Sequence, residues 1–163
     1  MFRTIIFGAL CLALTACGTA RTVVEQPATQ HARAHAILIT PGAHTVFVPA
    51  RDQGRFSEAL ARELYTEVGF SYGPGITARY RFMSYSAGNR IARLMFGGVG
   101  NAGEASIVIE TEFLDERGNI IGRIETEGRI DSGMMGGRSN SAVYRAAEDI
   151  ADYARENFYS RYE

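Results

Sequence analysis

Apolar positions recur along this chain with two different periods, and the switch between them predicts the order of its elements. Phe56, Leu60, Ala61, Leu64, Tyr65 and Val68 share one helical stripe, with Arg55, Glu58, Arg62, Glu63 and Glu67 off it. Gly69 follows where a glycine closes a helix. Val143, Ala147, Ile150, Ala151, Ala154 and Phe158 form the stripe of a second helix, with Ser139, Asn140 or Ser141 as its N-cap. Between the helices the period falls to two. Ala78, Tyr80 and Phe82 alternate with Arg79, Arg81 and Met83 within 76–85, and Ile107, Ile109, Thr111 and Phe113 alternate with Glu110 and Glu112 within 106–114. Within 120–130, Ile124, Thr126 and Ile130 alternate with Arg123, Glu125, Glu127 and Arg129. Residues 115–119 carry hairpin-turn chemistry, with Gly118 suited to a positive φ. Two short strands, 36–39 and 45–48, are expected ahead of the first helix, separated by a turn at 40–43.

Each strand has a single apolar face, so both helices should cover that face of one sheet. The expected fold class is α+β: a two-layer sandwich with a mixed or antiparallel sheet of about four strands and two helices on one face. The other face would carry Arg79, Arg81, Glu110, Glu112, Arg123, Glu125, Glu127 and Arg129, opposite charges able to pair across strands.

The N-terminus follows a different logic. Met1-Phe2-Arg3 leads into an apolar run over 5–14 broken by Gly8, then Thr15 and Ala16, which is the anatomy of a secretory signal. The run is half the roughly 20 residues a spanning helix needs. Leu14-Thr15-Ala16-Cys17-Gly18 resembles the bacterial lipobox, which implies cleavage before Cys17 and attachment of acyl chains, palmitate among them, to that residue. Several acyl chains anchor a protein durably. Gly18, rather than Asp, in the second mature position implies delivery to the outer membrane, facing the periplasm. An ordinary signal peptide with an incidental cysteine is the competing reading. The expected layout is a signal over 1–16, a lipidated Cys17 and flexible tether over 17–34, and one α+β domain over 35–163.

Composition narrows the chemistry. At 163 residues and 46% apolar content the chain has the core of one domain. All 17 basic residues are Arg and face 18 acids, so nucleic acid is not an expected partner. Cys11 would leave with the signal and Cys17 would be acylated, which removes thiol nucleophiles, cysteine-bound zinc and disulfides.

Four motifs invite chemistry and fail on context. Gly69-Phe70-Ser71-Tyr72-Gly73 spells a nucleophile elbow, but a helix precedes it and His31, His35 and His44 all lie upstream. The G-x-G-x-x-G of 98–103 precedes a strand, so no helix N-terminus would cradle a pyrophosphate. His31, His35 and His44 have no carboxylate near them between Glu25 and Asp52, and a metal is not expected there. Arg79-Tyr80-Arg81-Phe82 interleaves bases and aromatics, yet one strand turns the aromatics inward. No catalytic residues, metal or cofactor are expected.

The hairpin over 105–130 would bring two loops to one end of the sheet. One carries Leu94, Met95 and Phe96, the other Met134 and Met135, each among glycines. These residues form a candidate interaction patch if exposed, or part of the core if tucked under the helices.

Taken together, ITARYRF at 76–82, GNRIARLMFGGVGNAG at 88–103, ASIVIETEFLDERGNIIGRIETEG at 105–128, GMMGG at 133–137 and AAEDIADY at 146–153 resemble domain of unknown function 4410. That family occurs on exported bacterial proteins and lipoproteins. The resemblance implies the α+β plan and the address, and no catalytic residues. The expected function is an outer-membrane-anchored envelope lipoprotein, a non-catalytic binding or assembly module with an unknown envelope protein partner. The alternatives are a small periplasmic hydrolase, using Ser71 or paired carboxylates, and a purely structural envelope domain.

Overall fold

The computed structural model describes residues 20–29, 32–87, 105–129 and 140–161. Within them lie strands β1 (Ala20–Gln26), β2 (Ala36–Pro41), β3 (Ser71–Tyr72), β4 (Ile76–Ala87), β5 (Ala105–Leu114) and β6 (Ile120–Arg129). The helices are α1 (Ala50–Arg62), continued as a π-helix over Glu63–Val68, and α2 (Asn140–Phe158). The strands form one mixed sheet in the order β1-β6-β5-β4-β2-β3. β2 runs parallel to β3 and β4, and the other pairs are antiparallel.

The inward strand positions are those the alternation predicts. Ala78, Tyr80 and Phe82 stand opposite Phe113, Thr111 and Ile109, which stand opposite Gly122, Ile124 and Thr126. All of these are buried. From α1, Phe56 sets its ring 4.9 Å from Tyr80 and 5.5 Å from Phe82. From α2, Phe158 lies 4.8 Å from Phe113. Two glycines let α2 come this close: a Cβ on Gly122 would meet Phe158 at 2.9 Å, and one on Gly128 would meet the Ala142 carbonyl oxygen at 2.3 Å. Gly69 closes the helical segment at φ 97°, and Gly118 takes φ 82° in the β5–β6 turn.

Four expectations need correction. The sheet has six strands, not about four. Residues 20–29 and 32–34 are not a flexible tether: β1 pairs with β6 from Ala20↔Gly128 onward, so the sheet begins well before His35. The segment after β1 is also fixed, since Thr29 donates to Ile121 O, Ala34 N to Phe158 O and Ser160 N to Ala34 O. Arg33 bonds the carbonyls of Tyr159 and Glu156, a cation at the end of α2 where the helix dipole favours one. Third, 45–48 is not a strand. Thr45 still bonds Phe82 O, but the chain bends there, carrying Val48 into the core and leaving Phe47 87% exposed. Fourth, Ser71 and Tyr72 of the elbow-like motif form the strand β3, which is too short to show a period.

Tyr85 fastens α1 to the sheet by donating its hydroxyl to Asp52 Oδ2 at 2.5 Å. Burial, followed by this bond and the carboxylate's charge, pushes the phenol up to about 12. A raised folded pKa means the contribution is intact below the unfolded value near 10 and is lost as pH rises toward about 12. Tyr85→Phe is expected to cost about 1–2 kcal/mol at neutral pH. Urea titrations should show the difference between the two proteins shrinking across that alkaline window.

Candidate functional site

The sheet face away from the helices carries the charged side chains of the strands. Its floor is an ion-pair ladder, built because alternation sends every second residue of β4, β5 and β6 outward. Glu112 sits between two guanidiniums: Oε2 takes Arg79 Nη2 at 2.7 Å and Oε1 takes Arg123 Nη2 at 2.6 Å. Burial works to raise the Glu112 pKa, and the hydrogen bonds and charges of Arg79 and Arg123 outweigh it, holding the carboxyl below its ordinary value. One row along, Arg81 Nη2 lies 2.8 and 2.9 Å from the two oxygens of Glu110 but hydrogen-bonds only Oε2. Glu110 is only 6% exposed, shielded by these long side chains. Glu125 stands directly opposite it on β6. Glu110 and Glu112 lie at salt-bridge distance from arginines, so this part of the ladder ties β4, β5 and β6 together.

A cleft of about 650 Å³ opens where this face meets the β5–β6 turn, floored by Leu38, Thr77 and Leu114 and rimmed by Arg79, Asp115 and Glu116. Asp115 is held in place by the Asn119 side chain and by the backbone amides of Asn119 and Arg117, which keep its carboxyl below the ordinary range. The cleft therefore offers an apolar floor with a charged rim and no nucleophile beside a base.

Ser71 lies on the exposed β3 with its amide bonded to His35 O, after a helix and before a strand, so the elbow context is absent. His44 packs against Tyr80 and Phe82, its Nδ1 facing the Phe82 amide at 3.4 Å. Among the described residues no three His, Cys, Asp or Glu gather as metal ligands would. Cys17, Leu94, Met95, Phe96, Met134, Met135, His31 and the glycine motif at 98–103 lie outside the described residues. The strand ends that flank the two candidate loops do lie together, with Ala87 opposite Ala105 and Ser106 opposite Arg129.

Three exposed apolar side chains escaped the periodicity. Val23 and Val24 of β1 are 43% and 48% exposed, and Phe47 is far more so. The alternation of Thr22, Val24 and Gln26 with Arg21, Val23 and Glu25 was the signal for β1, weak because no large residue marks its inner face.

The fold is shared with two crystal structures of the PelC dodecamer from Paraburkholderia phytofirmans, one of them a point variant. The variant superposes with a TM-score of 0.55 at 16% identity, covering 83% of this chain and 96% of that one. The other gives 0.50 at 17% identity, covering 82% and 96%. No curated protein matches significantly. Residues 26–137, more than half of the chain, match the family of the domain of unknown function DUF4410, and the protein belongs to that family.

Proposed function

We propose that this protein is a non-catalytic assembly module of the bacterial envelope, anchored to the outer membrane through an acylated Cys17, facing the periplasm and associating with copies of itself. The observation that carries the assembly is the sheet's two open edges. Among the described residues β1 is paired only on its β6 side, and β3 covers only Ala36 and Ile37 of β2, leaving 38–41 unpaired on the opposite edge. Natural edges are commonly blunted with Lys, yet the chain contains none, and β1 instead presents Val23 and Val24. Unlike edges meeting head to tail generate a ring when the rotation closes. PelC, which shares this fold, is a dodecamer. The loops bearing Leu94, Met95, Phe96, Met134 and Met135 remain the surface proposed for an envelope protein partner.

Light scattering of the detergent-extracted protein tests the assembly. The wild type is expected at a multiple of its chain mass, and Val23→Lys at the mass of one chain with stability changed by no more than about 0.5 kcal/mol. A monomeric wild type at micromolar concentration would overturn the reading.

A further inference from the structure

The register of β1 fixes which end of the domain an anchor at Cys17 would hold. Ala20 pairs with Gly128 at the far end of β6, in the row that continues through Ile107 to Tyr85. Only Gly18 and Thr19 separate it from Cys17, a span of at most about 10 Å. With β1 taken into the sheet, the anchor has no long leash, and this end of the sheet is kept within headgroup distance of the bilayer.

The described residues at this end fit that neighbour. Thr45 bonds Phe82 O as the chain after β2 climbs alongside β4, so Phe47 projects at the same end, on the opposite side of the sheet from Ala20. Four strand spacings place the two about 19 Å apart. α1 starts here, its Asp52 bonded to Tyr85, and α2 starts here, its Ala142 against Gly128, so both helices turn their positive ends this way. The Arg21 and Arg51 side chains are exposed at this end, Arg21 opposite Glu127 of β6. The neighbouring acids are committed, Asp52 to Arg55 and Tyr85, Glu127 to Arg129.

We propose that this end of the domain docks directly on a phospholipid surface, with the Phe47 ring inserted at the boundary of headgroups and acyl chains and Arg21 and Arg51 set against lipid phosphates. A bulky aromatic inserts at that depth, and exposed arginines gain from anionic headgroups. The proposal rests on the anchor proposed above and adds an orientation to it: the Asp115–Glu116 cleft at the opposite end would face away from the membrane.

The chain has no Trp, so single substitutions give clean fluorescent reporters. Full-length acylated Phe47→Trp would be reconstituted into phosphatidylethanolamine–phosphatidylglycerol vesicles. Tyr72→Trp serves as control: Tyr72 is 79% exposed and pairs with Ile37, at the opposite end of the sheet, about 30 Å away along the strands. Phe47→Trp is expected to emit blue-shifted light and to lose most of its intensity to lipids brominated on the acyl chain, while Tyr72→Trp does neither. An acylated Phe47→Trp that emits as an exposed indole and is not quenched overturns the docking and leaves the anchor standing. A blue shift without bromolipid quenching assigns Phe47 to a contact between copies and overturns the docking as well. A chain whose intact mass lacks acyl groups overturns the anchor, and the docking with it.

Discussion

Gly128→Val is expected to lower the thermal midpoint by about 10 °C, corresponding to about 3 kcal/mol for a domain of this size. The cause is backbone, not side chain. A Cβ on Gly128 would stand 2.3 Å from the Ala142 carbonyl oxygen and 3.1 Å from its carbon, so the first turn of α2 must move off β6 or the strand must bend away. Either response separates Ala142, Val143 and Ala146 from the inner face, where all three are buried. Gly54→Ala is the counterpart: nothing lies within 4 Å of its added Cβ, so in α1 the change is expected to stabilise by about 0.5–1 kcal/mol. Melting curves of the two variants should move in opposite directions. Equal small shifts would mean that α2 does not seat on β6 as described.

The second large effect is on location. Cys17→Ser is expected to abolish fatty-acid incorporation and leave an unprocessed or mislocalised precursor, because the proposed anchor is covalent and no described helix is long and apolar enough to cross a membrane. Metabolic labelling followed by membrane fractionation measures it. Label retained in the variant would mean that acylation occurs elsewhere or that the lipobox assignment is wrong.

Much of the fold was legible because its strongest elements have large side chains on one face. The stripe of α2 is buried from Val143 to Phe158, and Tyr80, Phe82, Ile109 and Phe113 point inward as their alternation requires. The charge ladder was legible for the complementary reason: Arg79, Glu112 and Arg123 share a parity, and the register sets them side by side. β1 was not legible, because an edge strand needs only half a partner. Thr22 and Val24 meet α2 and β6 at the sheet's margin, with Thr22 donating to Asp149 at 3.0 Å, and such contacts leave no run of large apolar residues. The segment at 45–48 misled in the opposite direction. Val46 and Val48 alternate as a strand would, but both reach the core from a bend whose backbone continues β2 for only one more bond to Phe82. Phe47 points outward under either conformation, so the alternation alone gave no sign that it lies past the end of β2, almost fully exposed. The strand ends at Ala87, Ala105 and Arg129 lie at a common end, as the hairpin register alone requires.

The central claim joins an acylated Cys17 to self-assembly, and native mass spectrometry of the chain extracted in detergent from its own envelope reads both at once. The account predicts a closed multiple of a chain that begins at Cys17 and carries the mass of its acyl groups. A single chain, or a multiple of chains with an unmodified thiol or a different N-terminus, would contradict it.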